Sequence, residues 1–274
     1  MAVLGSPLVI DGSHGEGGGA LLRTALAMAA LTQQPVRIVN VRGGTQRPGL
    51  NPEDLTVLRA ITLASSAECL GGEVGSHNLS FLPTRRPRGL NERLDVCDGD
   101  DGPGFANALV VLTSLLPVLA RTGAYSTLSA QGETFGSRVL SYDYFAHVTV
   151  PALRRFGLYS DPDLEMAGFG RGTRGEVKLE VEPSHLQGID WSERGRGMGV
   201  RAVITTADLP EHVSARGLQH LGRLAYYAGF EVDAVSQVVD AKSPGAMVTV
   251  WAEFENGFGG CAVMGQRGVR IEAV

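Results

Sequence analysis

Apolar segments at the start of the chain predict two helices that alternate with short strands. Short apolar runs bounded by glycine or polar residues indicate buried strands, and longer apolar stretches indicate helices. The second helix has a clear start signal, because Asn51 suits the N-cap, Pro52 suits the first helical position, and two acidic residues follow. The predicted elements are a strand at Leu8–Ile10, a helix at Ala20–Thr32, a strand at Val36–Arg42, a helix from Asn51 to about Leu70, and a strand pair at Glu73–Val74 and Leu79–Leu82. Together they form a βαβαββ unit.

Two internal similarities suggest that this unit recurs. Gly43-Gly44-Thr45 is matched by Gly132-Glu133-Thr134, which follows the apolar segments Phe105–Ala120 and Ala124–Ala130. A second set keeps its internal spacing one hundred positions later: Gly72, Gly75, Leu79 and Pro83 correspond to Gly172, Gly175, Leu179 and Pro183. Short glycine matches also arise by chance in a glycine-rich chain. We expect an α/β (α+β) fold in which repeated βαβαββ units form a large domain.

A polar stretch after Pro183 interrupts this pattern and predicts a small inserted α/β domain. Its predicted elements are a strand at Val200–Thr206, a helix at Pro210–Ala228 that begins after Asp208, and a strand at Glu231–Val239. The apolar pattern resumes at Met247–Phe254. The predicted domains are therefore 1–183, with two repeats of the large domain, 184–241, the insert, and 242–274, a return to the large domain with an incomplete third repeat.

Composition and charge narrow the class of protein. The 274 residues are 43% hydrophobic and 19% charged, which excludes a polar disordered chain, and 37 glycines imply many tight turns. A net charge of −5 argues against nonspecific coating of nucleic acid but allows the binding of a single phosphate end. Cys69, Cys97 and Cys261 form no CxxC pair, and we find no signal peptide or membrane span. We expect a cytoplasmic protein, and a homo-oligomer stays open.

The most informative segment is the glycine turn from Asp11 to Gly19, between the first strand and the first helix. Backbone N–H groups of such a turn, together with the helix N-terminus, favour an anion such as phosphate. The segment is neither a Walker A motif nor a dinucleotide fingerprint. A tight turn capped by the carboxylate of Glu16 is an equally good interpretation, and His14 is more simply a turn residue than a phosphate or proton contact.

Three arginines near glycine turns are candidates for phosphate binding. Arg23 lies on an otherwise apolar helix and needs a partner, which could be Glu16 or a ligand. Arg42 ends a strand and Arg47 precedes a proline, where an arginine can bind phosphate with two hydrogen bonds or simply be solvated. The six histidines show no metal-binding spacing, and no GxSxG motif is present. We therefore predict no protein-held metal and give hydrolase functions little weight.

These residues resemble the RNA 3′-terminal phosphate cyclase family over nearly the whole chain. The most specific match is Asp11-Gly-Ser-His-Gly-Glu-Gly-Gly-Gly19 followed by Leu22-Arg23-Thr24-Ala25-Leu26. Further matches, in the family's order, are Pro35-Val-Arg-Ile38, Arg42, Arg47-Pro-Gly-Leu50, Leu55-Thr56, Arg59-Ala60, Leu115-Leu116-Pro117, Tyr142-Asp143-Tyr144, Gly175-Glu-Val177, Pro244-Gly245 and Gly265-Gln-Arg-Gly268. The resemblance implies the same repeated units with a small inserted domain.

The resemblance also implies an activity. Members of the family use ATP and a divalent cation (Mg²⁺ or Mn²⁺) to adenylate an enzyme histidine. They pass AMP to an RNA 3′-phosphate, and the vicinal 2′-hydroxyl then closes a 2′,3′-cyclic phosphate. By matching position, the resemblance assigns Glu16, Arg23 and Arg42 to the active cleft and to catalysis, and the two arginines suit the terminal phosphate or the ATP triphosphate. We also predict that Arg47 contacts the substrate phosphate with Arg23 and Arg42. The residues predicted to contact the nucleotide are His14, Gly17, Gly18 and Thr113.

The chain departs from the family's pattern at several positions. Glu53-Asp54 replaces a common Gln-His pair, which is electrostatically unfavourable near phosphate, and Thr113 stands where a glutamine of the nucleotide pocket is expected. The residues after Thr134, from Phe135 to Val139, also differ from the family's proline-rich stretch.

The nucleophilic histidine is expected beyond Gly265-Gln-Arg-Gly268, and this sequence ends six residues later, so we expect no self-adenylation. A non-catalytic member that binds RNA or protein, as in ribosome assembly, is the alternative function. An enolpyruvyl-transferase-like fold with arginines for phosphoenolpyruvate is a weaker third interpretation.

Overall fold

The structure is a computed structural model that describes residues 6–96, 106–136 and 140–274. Cys97, Phe105 and residues 137–139, which entered the sequence patterns above, lie outside the described residues. The described part contains three four-stranded sheets with helices packed against them. This architecture confirms the predicted α/β fold.

The first sheet belongs to the predicted βαβαββ unit. Its strand order is β1-β2-β4-β3, with β1 parallel to β2 and the other two pairs antiparallel. The parallel pair is connected through a helix, as a parallel connection requires. The elements of this first unit are β1 (Leu8–Asp11), α1 (Gly19–Thr32), β2 (Val36–Val39), α2 (Pro52–Ser65), β3 (Glu68–Leu70) and β4 (Leu79–Leu82).

One predicted strand of the first unit was wrong. Helix α2 ends at Ser65 because Ser66 adopts a left-handed conformation, with φ of 49°, and does not continue to Leu70. The chain then pairs Cys69 with Phe81, so β3 lies at Glu68–Leu70 and the predicted strand at Glu73–Val74 does not form. The N-cap prediction is confirmed, because the Asn51 side chain accepts a hydrogen bond of 2.7 Å from the Asp54 N–H.

The second unit repeats this connectivity. Its strand order, β5-β6-β8-β7, is the order of the first sheet with each strand replaced by its counterpart, and β5 is parallel to β6. Leu79 and Leu179 lie on the corresponding strands β4 and β8, so the predicted repeat is confirmed. The elements are β5 (Asn91–Asp95), α3 (Ala108–Leu119), β6 (Ser126–Gly132), α4 (Tyr142–Tyr144), a π-helical segment (Phe145–Thr149), α5 (Val150–Arg155), β7 (Ser160–Met166) and β8 (Gly175–Val181).

The third sheet has a different order, β10-β9-β11-β12. Strand β11 is antiparallel to β9, with Gly245 opposite Ala207 and Ala252 opposite Val200. One sheet therefore spans the predicted boundary between 241 and 242, although hydrogen bonding alone does not divide a chain into domains, and the three predicted domains stay a prediction. The elements are β9 (Gly197–Ala207), α6 (Glu211–Ala228), β10 (Asp233–Val238), β11 (Gly245–Phe254), β12 (Gly257–Met264) and a 3-10 turn (Ile271–Ala273).

Helix α6 begins differently from the prediction. Its N-cap is Pro210, without a side-chain cap, and Asp208 lies outside the helix in a left-handed conformation with φ of 49°. None of the helices in the described ranges is long and apolar enough to cross a membrane.

The first two units share one hydrophobic core. Helices α1, α2 and α3 contact one another, and their apolar faces join the inner faces of both sheets in a single cluster. Fully buried members include Leu26, Ile61, Leu112, Phe81 and Leu179. All three helices begin near the same end of the core, so their N-termini lie close together. The candidate site lies at these N-termini.

A polar network attaches the third sheet to the second unit. The Asp143 carboxylate is fully buried and accepts hydrogen bonds from the Thr205 hydroxyl (2.6 Å) and the Gln237 amide (3.1 Å). Burial raises the pKa of Asp143 to about 6, against the lowering effect of these two donors. Next to this network, the rings of Phe135 and Phe169 stack at 4.7 Å.

Candidate phosphate site

The glycine turn is fixed against the loop that follows β2. A Cβ on Gly12 would lie 2.8 Å from the Asn40 carbonyl oxygen, and one on Gly17 would lie 2.6 Å from the Gly44 nitrogen. Gly17 also has a left-handed φ of 56°, and its carbonyl accepts a hydrogen bond of 3.2 Å from the Gly44 N–H. Only glycine combines the absence of a Cβ with easy access to a positive φ, so these residues shape the turn before α1.

The N-terminus of α1 differs from those of its two neighbours. Its N-cap is Gly18, and no side chain of the described residues caps its first turn. In α2 the Asn51 side chain caps Asp54, and in α3 the Asn107 side chain accepts from two backbone N–H groups. The unsatisfied N–H groups and the helix dipole make the start of α1 the favourable place for an anion.

Two arginines meet on one buried carboxylate beside this helix start. Asp54 is fully buried and accepts from Arg23 at 2.6 Å and from Arg42 at 3.3 Å, while Glu53 lies 3.4 Å from Arg23. We call Arg23, Arg42, Glu53 and Asp54 the arginine cluster. A Cβ on Gly19 would lie 2.5 Å from Arg23 Nη1, so the cluster packs directly on the first turn of α1.

Arg42 is held in an uncommon backbone conformation. Its φ is 54°, in the left-handed region that non-glycine residues seldom adopt, and its carbonyl accepts from the Thr45 N–H (3.0 Å) and hydroxyl (2.8 Å). Its Nε atom is buried and has no hydrogen-bond partner among the described residues. Both arginine side chains keep a small exposed fraction, 19% for Arg23 and 17% for Arg42, so a ligand can reach them. Strain of this kind concentrates at functional sites.

Glu53 links the arginine cluster to the start of α3. One carboxylate oxygen faces Arg23, and the other accepts a hydrogen bond of 3.0 Å from the Asn107 backbone N–H. Burial raises the pKa of Glu53, while the Asn107 N–H and the charge of Arg23 act in the opposite direction. The three helix N-termini are therefore joined by carboxylates of α2.

Glu133 lies beside this junction, directly after β6. Its backbone N–H donates to Ala106, and its carbonyl accepts from Ala108, each at 3.0 Å. The side chain is 5% exposed, and its Oε1 atom is buried without a hydrogen-bond partner among the described residues. Burial, with a smaller contribution from Glu53, raises the pKa of Glu133 to about 7, and Arg171 opposes this shift.

Two of the predicted site residues lie on the glycine turn but, in the described part of the chain, do not contact the arginines. His14 and Glu16 are exposed on the glycine turn, and Arg23 pairs with Asp54 and Glu53, so the partner of Arg23 in this structure is not Glu16. Asp54 is the partner because α2 begins directly beside α1.

Arg47 and Thr113 lie outside the arginine cluster. Arg47 is exposed, and only its backbone carbonyl has a contact, with the Thr45 hydroxyl, among the contacts described. The Thr113 hydroxyl on α3 is buried without a hydrogen-bond partner among the described residues. It stands six residues beyond Asn107 on α3, which places it about 9 Å along the axis from the helix start.

Sequence reasoning missed the positive contribution of Glu53 and Asp54 and the presence of Glu133. The two carboxylates were expected only to oppose phosphate, whereas the structure uses them to hold both arginines in place. A signal for Glu133 was available, because its alignment with Gly44 predicts a position beside a helix N-terminus. What could not be foreseen is that Glu133 would be buried at a junction between two repeats.

No group of three or more His, Cys, Asp or Glu side chains within residues 6–96, 106–136 and 140–274 could hold a metal ion. The acidic residues of the arginine cluster are already engaged by guanidinium groups and a backbone N–H. The described residues therefore do not fit a protein-held metal. The arrangement is suited to holding a phosphate by charge and hydrogen bonds.

Comparison with known proteins gives the family. The profile of the RNA 3′-terminal phosphate cyclase family matches residues 14–262. A protein named RNA 3′-terminal phosphate cyclase from Gloeothece citriformis is 34% identical over 270 residues, 97% of this chain and 77% of the relative. Proteins of the same name from Methylococcus capsulatus (34% over 269 residues, 97% of this chain and 74% of the relative) and Archaeoglobus fulgidus (34% over 265 residues, 97% and 77%) agree. The chain therefore belongs to the RNA 3′-terminal phosphate cyclase family.

Proposed function

We propose that this protein binds the 3′-terminal phosphate of RNA at the arginine cluster and serves its ATP-dependent conversion to a 2′,3′-cyclic phosphate. The observation that carries the proposal is the meeting of Arg23 and Arg42 on one buried carboxylate, beside a helix start that lacks a side-chain cap. Two guanidinium groups and free backbone N–H groups are the donors that a terminal phosphate requires. The names of the relatives support the same substrate.

The proposed roles of individual residues follow their positions. Arg23 and Arg42 bind the terminal phosphate. Once this phosphate carries AMP derived from ATP, they neutralise charge as the 2′-oxygen bonds to phosphorus, the bond from phosphorus to the AMP oxygen breaks, and AMP leaves. Phosphoryl transfer of this kind depends mainly on positioning and charge stabilisation. Arg47 and Glu16 lie exposed near the glycine turn and would contact the substrate from outside the arginine cluster.

For ATP, the proposed contacts are the glycine turn, with His14, Gly17 and Gly18, and the hydroxyl of Thr113. The buried and unpartnered hydroxyl of Thr113 supports this assignment, since a nucleotide group could satisfy it. The divalent cation is proposed only as a companion of the ATP phosphates, because no described carboxylate cluster could hold it. No step of the mechanism above requires a protein-held metal.

Because no self-adenylation is expected of residues 1–274 alone, the reaction is tested with the complete gene product. It is incubated with ATP, Mg²⁺ or Mn²⁺, and a 5′-labelled RNA oligonucleotide that ends in a 3′-phosphate. Conversion to a product that resists phosphatase, and its loss in Arg23→Ala and Arg42→Ala, supports the proposal. Arg196→Ala is the control, because this side chain is 77% exposed and the residue directly precedes β9, outside the arginine cluster. Phosphatase-sensitive RNA throughout, with wild-type protein, contradicts the cyclisation.

A second candidate function is a non-catalytic RNA-end binding factor. The observation that favours it is the neutralisation of both arginines by Asp54, with Glu53 adding a further carboxylate. Nearby carboxylates weaken phosphate binding and oppose the transfer of a charged group. Binding of 3′-phosphorylated RNA without conversion would select this candidate.

For either function, we propose that the protein acts in the cytoplasm and that its partner is the 3′ end of RNA. Self-association is left open in this proposal.

A further inference from the structure

Glu133 occupies, in the second unit, the place that Gly44 has in the first. In the first unit, the Gly44 N–H donates to Gly17, directly before the start of α1. In the second unit, Glu133 hydrogen-bonds to Ala106 and Ala108 on either side of the N-cap of α3. The repeat therefore places a carboxylate beside a helix start, where the first unit has only a glycine. Its backbone is fixed by two hydrogen bonds and by β6.

The side chain of Glu133 is set up to accept a hydrogen bond that no described residue donates. It is 5% exposed, and the buried Oε1 atom has no partner among the described residues. Buried polar groups in folded proteins are nearly always hydrogen-bonded. The nearby amide of Asn107 does not supply the donor, since it donates to the Leu140 carbonyl at 2.9 Å. An unpaired acceptor in a binding site is a candidate contact for a ligand hydroxyl.

Glu133 is also close to the arginine cluster. The member of the cluster that acts on Glu133 is Glu53, whose carboxylate faces Arg23 with one oxygen and the Asn107 N–H with the other. Among the described residues, the charged groups that act on Glu133 are Glu53 from α2 and Arg171 from the loop between β7 and β8. A ligand that places its phosphate on the arginines and its sugar on the Glu53 side would present that sugar to Glu133.

We propose that Glu133 accepts a hydrogen bond from the 2′-hydroxyl of the terminal ribose and makes the site select ribose over deoxyribose. This inference rests on the proposed function, because it requires the 3′-phosphate to bind at the arginine cluster. The 2′-hydroxyl is the group that distinguishes RNA from DNA, and it is vicinal to the 3′-phosphate. A site built to pair with a hydroxyl rejects an analogue that lacks it, because the buried acceptor is then left unpaired.

The ionisation of Glu133 gives this role a signature in pH. Burial, and to a smaller extent Glu53, raise the pKa of Glu133 to about 7, while Arg171 opposes the shift. The ionised carboxylate is the stronger acceptor, so the selection for ribose should grow as pH rises from 6 to 8 and fade as pH falls. A merely structural role for Glu133 would leave the ratio of the two affinities independent of pH.

The test uses four RNA oligonucleotides of one sequence. They end in ribose or 2′-deoxyribose, each with a 3′-phosphate or a 3′-hydroxyl, and binding is measured by fluorescence anisotropy at pH 6 and pH 8. For the phosphorylated pair, we expect wild-type protein at pH 8 to favour ribose by about tenfold or more, the scale of one charged hydrogen bond. Glu133→Ala should abolish this preference, and Glu133→Gln should make it smaller and independent of pH.

Glu182→Gln is the matched control, because Glu182 is an exposed glutamate that directly follows β8 in the same unit. Thermal melts of each variant establish that it is folded. If wild-type protein favours phosphate but the ribose preference is the same in wild type and Glu133→Ala, the inference is wrong and the proposed function stands. If wild-type protein does not distinguish phosphate from hydroxyl ends, the proposed function fails, and this inference fails with it.

Discussion

Replacing Asp54 by asparagine removes the charge that both arginines share. Asp54 is fully buried, and the side chains of Arg23 and Arg42 are only 19% and 17% exposed. Without the Asp54 charge, Arg42 would lose its carboxylate partner and Arg23 would keep only Glu53, at 3.4 Å. Removing one partner of a buried ion pair typically costs about 3–5 kcal/mol. Asparagine keeps one carbonyl acceptor, which favours the lower end of that range. We therefore expect Asp54→Asn to lower the free energy of unfolding by about 3 kcal/mol.

This loss is large enough to measure by thermal melting. For a chain of this size, 1 kcal/mol corresponds to about 2–4 °C, so the expected decrease in Tm is about 6–12 °C. Asp233→Asn is the control, because Asp233 is exposed on β10 and its substitution should change stability by less than about 0.5 kcal/mol. A Tm for Asp54→Asn equal to that of the control would refute the conclusion that Asp54 holds the arginines as an ion pair.

Two further predictions concern the glycine turn and the contact with the third sheet. Gly17→Ala should lower Tm well below Gly15→Ala: both residues have positive φ, but only at Gly17 would the new Cβ meet backbone, 2.6 Å from the Gly44 nitrogen. Equal melting temperatures would contradict the close packing of the turn. For Asp143, burial raises the folded-state pKa to about 6, above the ordinary 3.8, so the folded protein binds the proton more tightly. Its contribution to the free energy of unfolding should therefore rise as pH falls from 7 to 4. The free energy of unfolding of wild type minus that of Asp143→Asn should therefore increase as pH falls across this range, and parallel curves for the two proteins would refute the prediction.

Much of the fold follows from local sequence signals. The strand–glycine turn–helix start is predicted because glycines at positions such as Gly17 are required by backbone geometry, and Asn51 caps α2 as its residue type implies. The repeat is visible because Leu79 and Leu179 face equivalent positions on β4 and β8. Local patterns fail where tertiary pairing decides, as in β3, whose residues pair with β4 although no alternation marks them.

The candidate site is less accessible to sequence reasoning, because its contacts join distant elements. The glycine turn and both arginines are identified from the sequence, but their meeting on Asp54 depends on how α1 and α2 pack. The same acidic residue that opposes phosphate in isolation becomes a positioning group when it is buried between two guanidinium groups. Glu133 is harder still, since its carboxylate comes near Glu53 only through the packing of two repeats.

The most direct test of the central claim is the affinity of the wild-type protein for two RNA oligonucleotides that differ only in a 3′-phosphate or a 3′-hydroxyl. A charged hydrogen bond contributes about 1.5–3 kcal/mol, so we predict that the phosphorylated RNA binds at least about tenfold more tightly. Arg42→Ala should remove most of this preference, because the Arg42 guanidinium meets that of Arg23 on Asp54, which lies beside the start of α1. Equal affinity of the wild-type protein for both ends would contradict the assignment of the arginine cluster to the terminal phosphate.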